Sequence, residues 1–222
     1  MTISQAVEKV VKVRPFIIEA LSEGLLNISS LARQIHPSVE KMVQKEVKQG
    51  AIVMALNRLV PSLEDGGFGS FKDVLNQLGD IIVRSNLTDF TFRNSNTIFD
   101  SLSKTMNDLS SNRDGFCTMV RGVFESNVIV GADFTDVVEK NFTNEECTFR
   151  SYNLSAITLK LPADNVQACG FYYQIMKFIA WEGINVKEVV STSNEFSIIV
   201  AEEDVDRAFT ILKNLKTVNK LY

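Results

Sequence analysis

The sequence predicts an α+β protein that begins with a small all-helical domain and continues with two copies of a βαββα unit. Two observations support this fold class. Helical patterns fill residues 1–61, whereas strand and helix patterns alternate from residue 79 onward. In addition, a shift of 70 residues places segment 128–136 on segment 198–206, with the same order of elements on either side.

The N-terminal domain contains several helix-boundary signals. Pro15 suits the first position of a helix, Gly24 suits the end of that helix, and Asn27 suits the cap of the next one. Pro37 predicts the start of a further helix. Residues 1–61 therefore form a helical domain of several short helices.

A glycine-rich stretch predicts the first domain boundary. Three glycines follow Pro61 within nine residues, so residues 62–78 are predicted to be a linker. The two copies of the βαββα unit then occupy residues 79–152 and 153–222.

Each element of the first copy has a counterpart in the second. In the first copy, TDFTFRN (88–94) predicts a strand and residues 97–109 predict a helix; a hairpin and a short helix capped by Asp133 follow. In the second copy, AITLKLP is the strand and NVQACGFYYQIMKFIAWEG the helix, before the hairpin of INVKEVVST with EFSIIVA and the helix EEDVDRAFTILKNL. One face of each sheet is left for water or for a partner.

Several protein classes are excluded by composition. The first residues carry charges at helical spacing and lack the apolar run of a signal peptide, and no stretch of 18 uncharged apolar residues exists. Cys117, Cys147 and Cys169 are widely spaced, as expected for reduced thiols in the cytoplasm. We therefore expect a cytoplasmic protein with no membrane contact, no metal site and no cofactor.

No catalytic motif is apparent. The sequence lacks a phosphate-binding loop and a dinucleotide-binding glycine pattern, and His36 is its only histidine. The acidic residues form no pair whose spacing assigns acid and base roles. We therefore expect that the protein is not an enzyme.

Three features of the second copy point to a known family. They are EGIN (182–185) at the end of the long helix, the hairpin VVSTSNEFSIIV, and the acidic start EEDVDRA of the last helix. With these features, segment 157–215 resembles the ACT domain, most closely that of aspartokinases, and residues 88–150 resemble a divergent ACT domain. The resemblance implies two ferredoxin-like βαββαβ domains, and the chain as a whole resembles regulators of amino acid metabolism.

The resemblance also implies a binding site for an amino acid effector at an interface between ACT domains. The implied positions are Ala163, Asp164, Asn165 and Val166 after the first strand, and Asn185 and Val186 at the start of the second. Backbone N–H groups at a helix start suit a carboxylate, and Asp164 or Asn185 can accept a hydrogen bond from an ammonium group.

This loop departs from the family pattern and has a second interpretation. Asp164-Asn165 stands where the family has Pro-Gly, and either residue could simply cap the helix that follows. The equivalent loop of the first copy, Arg93 to Asn96, is polar and matches the family poorly.

The helical domain has the pattern of a helix-turn-helix. Residues 1–60 hold eight Lys/Arg against five Asp/Glu, and the outward residues of its last helix include Lys48, Gln49, Asn57 and Arg58. These side chains can contact phosphates or base edges of DNA. The alternative is a three-helix domain that mediates protein contacts.

The expected function is therefore regulation by a small effector, an amino acid, coupled to DNA binding. The alternative is a regulatory subunit that binds and controls an amino-acid biosynthetic enzyme without contacting DNA. Tandem ACT domains leave sheet edges and helix faces to pair, so we also expect a homodimer.

Overall fold

The computed structural model describes residues 1–64, 77–111, 115–162, 165 and 170–218, with the backbone alone at 62–64 and 216–218. Two compact units divide the chain, Met1–Lys72 and Asp73–Tyr222, and are called unit 1 and unit 2 below. The predicted linker lies mainly outside the described residues. Within the described parts, no helix combines the length and the apolar character needed to cross a membrane.

The described part of unit 1 is helical. Its helices are α1 (Ile3–Lys12), α2 (Pro15–Ser22), α3 (Ile28–Val43) and α4 (Gln49–Glu64). Each helix buries apolar residues in a common core, such as Val7 of α1, Leu21 of α2, Ile35 of α3 and Leu56 of α4.

The capping signals of unit 1 are confirmed with one exception. Pro15 is the first residue of α2, Gly24 follows the end of α2 with φ +69°, and Asn27 Oδ1 accepts a 2.9 Å hydrogen bond from Ser30 N. The predicted helix start at Pro37 is wrong because Pro37 lies inside α3. Burial of the flanking Ile35 and Val39 stabilises the continuous helix despite the missing N–H group.

Unit 2 contains a six-stranded antiparallel sheet. The strands are β1 (Ile81–Arg93), β2 (Cys117–Arg121), β3 (Glu125–Gly131), β4 (Cys147–Lys160), β5 (Val186–Ser191) and β6 (Glu195–Ala201). They are arranged in the order β2-β3-β1-β4-β6-β5. The α-helices among the described residues of unit 2 are α5 (Ile98–Leu109), α6 (Thr135–Asn141), α7 (Phe171–Trp181) and α8 (Val205–Val218).

The shift of 70 residues found in the sequence relates corresponding elements of the structure. Strands β3 and β6 start at Glu125 and Glu195, and each leads into a three-residue 3-10 turn, residues 132–134 and 202–204. The predicted cap of α6 at Asp133 is wrong because Asp133 lies within the first of these turns, and the residue before α6 is Phe134.

The two central strands, β1 and β4, are longer than predicted, and each pairs with strands of both copies. In β1, residues 87–93 pair with β3 of the first copy, and residues 81–84 pair with residues 156–159 of β4. In β4, residues 154–160 pair with β6 of the second copy, and residues 147–151 pair with the second half of β1. Asn86 and Asn153 adopt left-handed φ values of 59° and 54° near the irregularities in this pairing, a conformation that Asn tolerates better than most residues.

Both faces of the sheet bury apolar side chains. On one face of the first copy, Phe90 and Phe92 pack with residues of α5 and α6 such as Ile98 and Val138. A separate cluster contains residues of both copies, namely Leu87, Ile129, Leu154, Ala156 and Ile199. We call it the shared cluster, and its members are at most 1% exposed.

Candidate effector-binding site

The structure describes three of the six residues predicted to bind an effector. These are Asn165, Asn185 and Val186, whereas Ala163, Asp164 and Val166 lie outside the described residues.

Asn165 fastens the loop after β4 to the turn between β5 and β6. Asn165 is only 7% exposed. Its Nδ2 donates hydrogen bonds to Pro162 O at 2.6 Å and to Ser193 O at 2.7 Å. A further bond in the same place joins Leu161 N to Asn194 O at 2.7 Å. Both amide hydrogens of Asn165 are therefore used inside the protein, which leaves Oδ1 as the polar atom available to a ligand.

Asn185 and Val186 lie at the other end of β5. Asn185 is exposed and Val186 half-buried. Five residue steps separate Val186 from Ser191, the last residue of the strand, which corresponds to about 16 Å of extended chain. Within one copy, the structure therefore does not bring Asn165 and Asn185 together.

Asn94 has the same fastening role in the first copy. Its Nδ2 donates to Gly122 O at 2.9 Å, and its Oδ1 accepts from Ser126 Oγ at 2.6 Å. The neighbouring Arg93 forms a 2.8 Å ion pair with Glu146. The loop at 93–96 is thus held by internal contacts to residues far along the chain, for which no local sequence signal exists.

The carboxylate of Glu145 accepts hydrogen bonds from hydroxyl groups of the loop after β1 and of α5. Ser95, Thr97 and Ser101 donate to its carboxylate at 2.5, 2.8 and 3.1 Å. Partial burial raises the pKa of Glu145, but the three hydrogen bonds outweigh it and leave the pKa below its ordinary value. The carboxylate is therefore held charged, as a structural connection between β1, α5 and the start of β4.

Two acidic residues of the sheet form a pair that sequence reasoning missed. Asp89 of β1 is 1% exposed, and Asn127 Nδ2 donates to its Oδ1 at 2.6 Å. Burial raises the pKa of Asp89 despite this bond. Glu188 of β5 is half-buried, and burial followed by repulsion from the Asp89 charge raises its pKa as well. The negative charge of Asp89 in the first copy therefore acts on Glu188 in the second.

The pKa of Asp89 predicts how stability depends on pH. A carboxyl group with a raised pKa in the folded state contributes stability below its unfolded pKa, and this contribution is lost as pH rises through the folded pKa. We expect the D89N variant to gain stability relative to the wild type as the pH rises above the ordinary pKa of an aspartate, 3.8. Urea unfolding at several pH values measures this, with the exposed Asp133→Asn as control; equal pH profiles for wild type and D89N would contradict it.

The four residues of unit 1 predicted to contact DNA are all exposed, but they do not share one face. Lys48 precedes α4, and Gln49 is its first residue. The nine residues from Gln49 to Arg58 correspond to about 900° of helix rotation, so these two side chains leave opposite sides of α4. Asn57 and Arg58 are neighbours, whereas Gln49 Nε2 donates to Ser29 O of α3 at 3.3 Å.

Comparisons with known proteins concern the fold. No protein-family model matches the chain, and no curated protein matches it. Among solved structures, the ligand-free regulatory subunit of aspartate kinase from Thermus thermophilus is similar, with a TM-score of 0.51 and 10% identity over 62% of this chain and 98% of that one. The regulatory subunit from Thermus flavus has a TM-score of 0.50 and 10% identity over 62% and 97% of the two chains.

An aspartate kinase shows the same similarity in part of its chain. Aspartate kinase from Clostridium acetobutylicum has a TM-score of 0.50 and 14% identity, over 61% of this chain and 34% of the enzyme. The match thus spans about a third of the enzyme. At these identities the similarity shows the fold alone: the chain contains a region folded like the regulatory domains of aspartate kinase.

Proposed function

We propose that the protein is a non-enzymatic, cytoplasmic regulator and that unit 2 is an ACT-type module that binds a small effector, an amino acid. The supporting observation is the fold similarity to a separate regulatory subunit of aspartate kinase, which extends over 98% of that subunit.

The domain layout of the proposal is a helix-turn-helix-like head at 1–61 and two ferredoxin-like ACT domains at 79–152 and 153–222. The helices α1–α4 support the first part. The second part is supported by the two sets of strands, each with its own helices, that meet side by side at β1 and β4.

The proposed effector site requires two copies of the chain. Asn165 and Asn185 lie at opposite ends of β5, so Asn165 can meet Asn185 and Val186 only if these come from a second copy of the chain. In the described part of unit 2, β2 and β5 are the edge strands of the sheet, and an unpaired edge can add a strand from a second chain. We therefore propose a homodimer that places the two halves of the site together.

A thermal-shift screen of the twenty amino acids tests the proposed sensing role. At a tenfold excess over its dissociation constant, an effector that binds only the folded chain adds about 1.4 kcal/mol, or about 3–6 °C in Tm. We expect one amino acid, or a chemically related group, to produce this rise. The D-enantiomer of an active amino acid is the matched control, and twenty unchanged Tm values would refute the proposal.

The proposed output is DNA binding through unit 1, for which the exposed Lys48, Asn57 and Arg58 provide polar contacts. If it is correct, fluorescence anisotropy with duplex DNA should show binding that weakens steeply with salt. The variant K48E/R58E should lose this DNA binding. The exposed Lys104 and Lys187 of unit 2 provide the control K104E/K187E, which makes the same change in net charge.

The alternative output is control of a biosynthetic enzyme. It is favoured by the similarity to a protein that is itself a regulatory subunit of an enzyme. In this case no salt-dependent DNA binding is expected from the wild type, and affinity capture with the full chain should recover an enzyme of amino acid biosynthesis. DNA binding that K48E/R58E abolishes would exclude this alternative as the sole function.

A further inference from the structure

Unit 1 contains a pocket that neither the effector site nor the proposed DNA contacts use. It lies between the first turns of α2 and the first turns of α3, and its volume is about 480 Å³. Pockets for small molecules in proteins commonly have about 300–1,000 Å³. The size is therefore suited to a small organic ligand.

Much of the pocket lining is apolar. Ile17 and Leu31, which are 6% and 5% exposed, belong to the core of unit 1 and are fixed by their packing. Leu26 and Phe16 add apolar side chains to the lining, and Phe16 is 64% exposed to solvent. A ligand that covers these side chains would remove apolar surface from water, which favours binding.

The lining carries one positive charge. Arg14, between α1 and α2, is half-buried and lines the pocket. Its guanidinium forms no ion pair or hydrogen bond with any residue in the described part of the chain. Ser30 and Gln34 add a hydroxyl and an amide group to the same lining. A guanidinium in this situation gains strongly from an anion, and its planar fork matches a carboxylate.

The lining contains no acidic residue. An ammonium group would therefore lose water on entering the pocket without meeting an opposite charge, and it would lie near Arg14. A single guanidinium balances one negative charge. These conditions favour a monoanion with an apolar body over both a zwitterionic amino acid and a doubly charged phosphate.

We propose that this pocket of unit 1 binds an apolar monocarboxylate that lacks a charged amine, with Arg14 holding the carboxylate and Ile17, Leu26 and Leu31 covering the apolar body. The site is independent of the effector site proposed for unit 2. It gives the protein a second ligand class, carboxylic acids without an ammonium group.

Isothermal titration of the full chain with octanoate tests this site. We expect one octanoate per chain, and 2-aminooctanoate, which has the same apolar body plus an ammonium group, should bind at least about tenfold more weakly. The R14Q variant should lose at least about tenfold in octanoate affinity because the charge-assisted hydrogen bonds are gone. The A20L variant, which fills part of the pocket, should bind octanoate weakly as well.

The matched control is R33Q, since Arg33 is an exposed arginine of α3 that does not line the pocket. It should bind octanoate like the wild type. No octanoate binding up to about 10 mM, equal affinity for octanoate and 2-aminooctanoate, or equal losses in R14Q and R33Q would each overturn the proposal. The comparison of the two ligands uses the wild-type chain and so remains decisive if a variant fails to fold.

Discussion

Replacing Ile129 with alanine is expected to lower the free energy of unfolding of unit 2 by about 2–5 kcal/mol. Ile129 is fully buried in the shared cluster, where it packs with residues of both copies such as Leu154 and Ile199. Removing its side chain beyond Cβ leaves a cavity that both copies border. The loss should therefore appear as a single cooperative transition of unit 2 in urea unfolding.

The corresponding residue of the second copy provides the matched experiment. Ile199 lies 70 residues further along, in β6, and is also fully buried. I199A should cost a similar amount, and the double variant should deviate from additivity because both side chains border the same cavity. Val123→Ala, at a residue 83% exposed, should change stability by less than about 0.5 kcal/mol. A cost this small for I129A would contradict the shared cluster.

Replacing Asn165 with alanine is expected to cost about 2–4 kcal/mol, because the carbonyl groups of Pro162 and Ser193 both lose their donor. Asn165 is 7% exposed, so water replaces these bonds poorly. Urea unfolding measures the cost, and hydrogen exchange at Asn194 and its neighbours should become faster.

The N185A variant is the control for this change. It removes the same side chain from an exposed position, so we expect a change of less than about 0.5 kcal/mol. Equal costs for N165A and N185A would show that Asn165 does not fasten the loop to the turn.

The sequence patterns predicted local elements well and the central strands poorly. Alternating apolar residues indicated both hairpins, and the repeat placed the second hairpin 70 residues after the first. The first half of β1 was missed because Arg84, Ser85 and Asn86 are exposed and interrupt the alternation. These residues form a strand because residues of β4, about 70 positions away in sequence, pair with this half of β1, and such long-range pairing has no local signature.

In the candidate site, too, long-range contacts could not be predicted from the sequence. Sequence reasoning offered two roles for Asn165, a ligand contact and a helix cap. The structure shows a third, hydrogen bonds to its own loop and to a turn 28 residues away. The interaction between Asp89 and Glu188 also joins residues that are distant in sequence. Contacts of this kind depend on the folded chain and cannot be read from the spacing of residue types.

Hydrogen exchange of the full chain, with and without a mixture of the twenty amino acids at about 1 mM each, measures effector binding by unit 2. We expect slower exchange in peptides of unit 2 that include the loop after β4 and the start of β5 at Asn185 and Val186. Unchanged exchange throughout residues 77–218, or protection confined to residues 1–64, would contradict it.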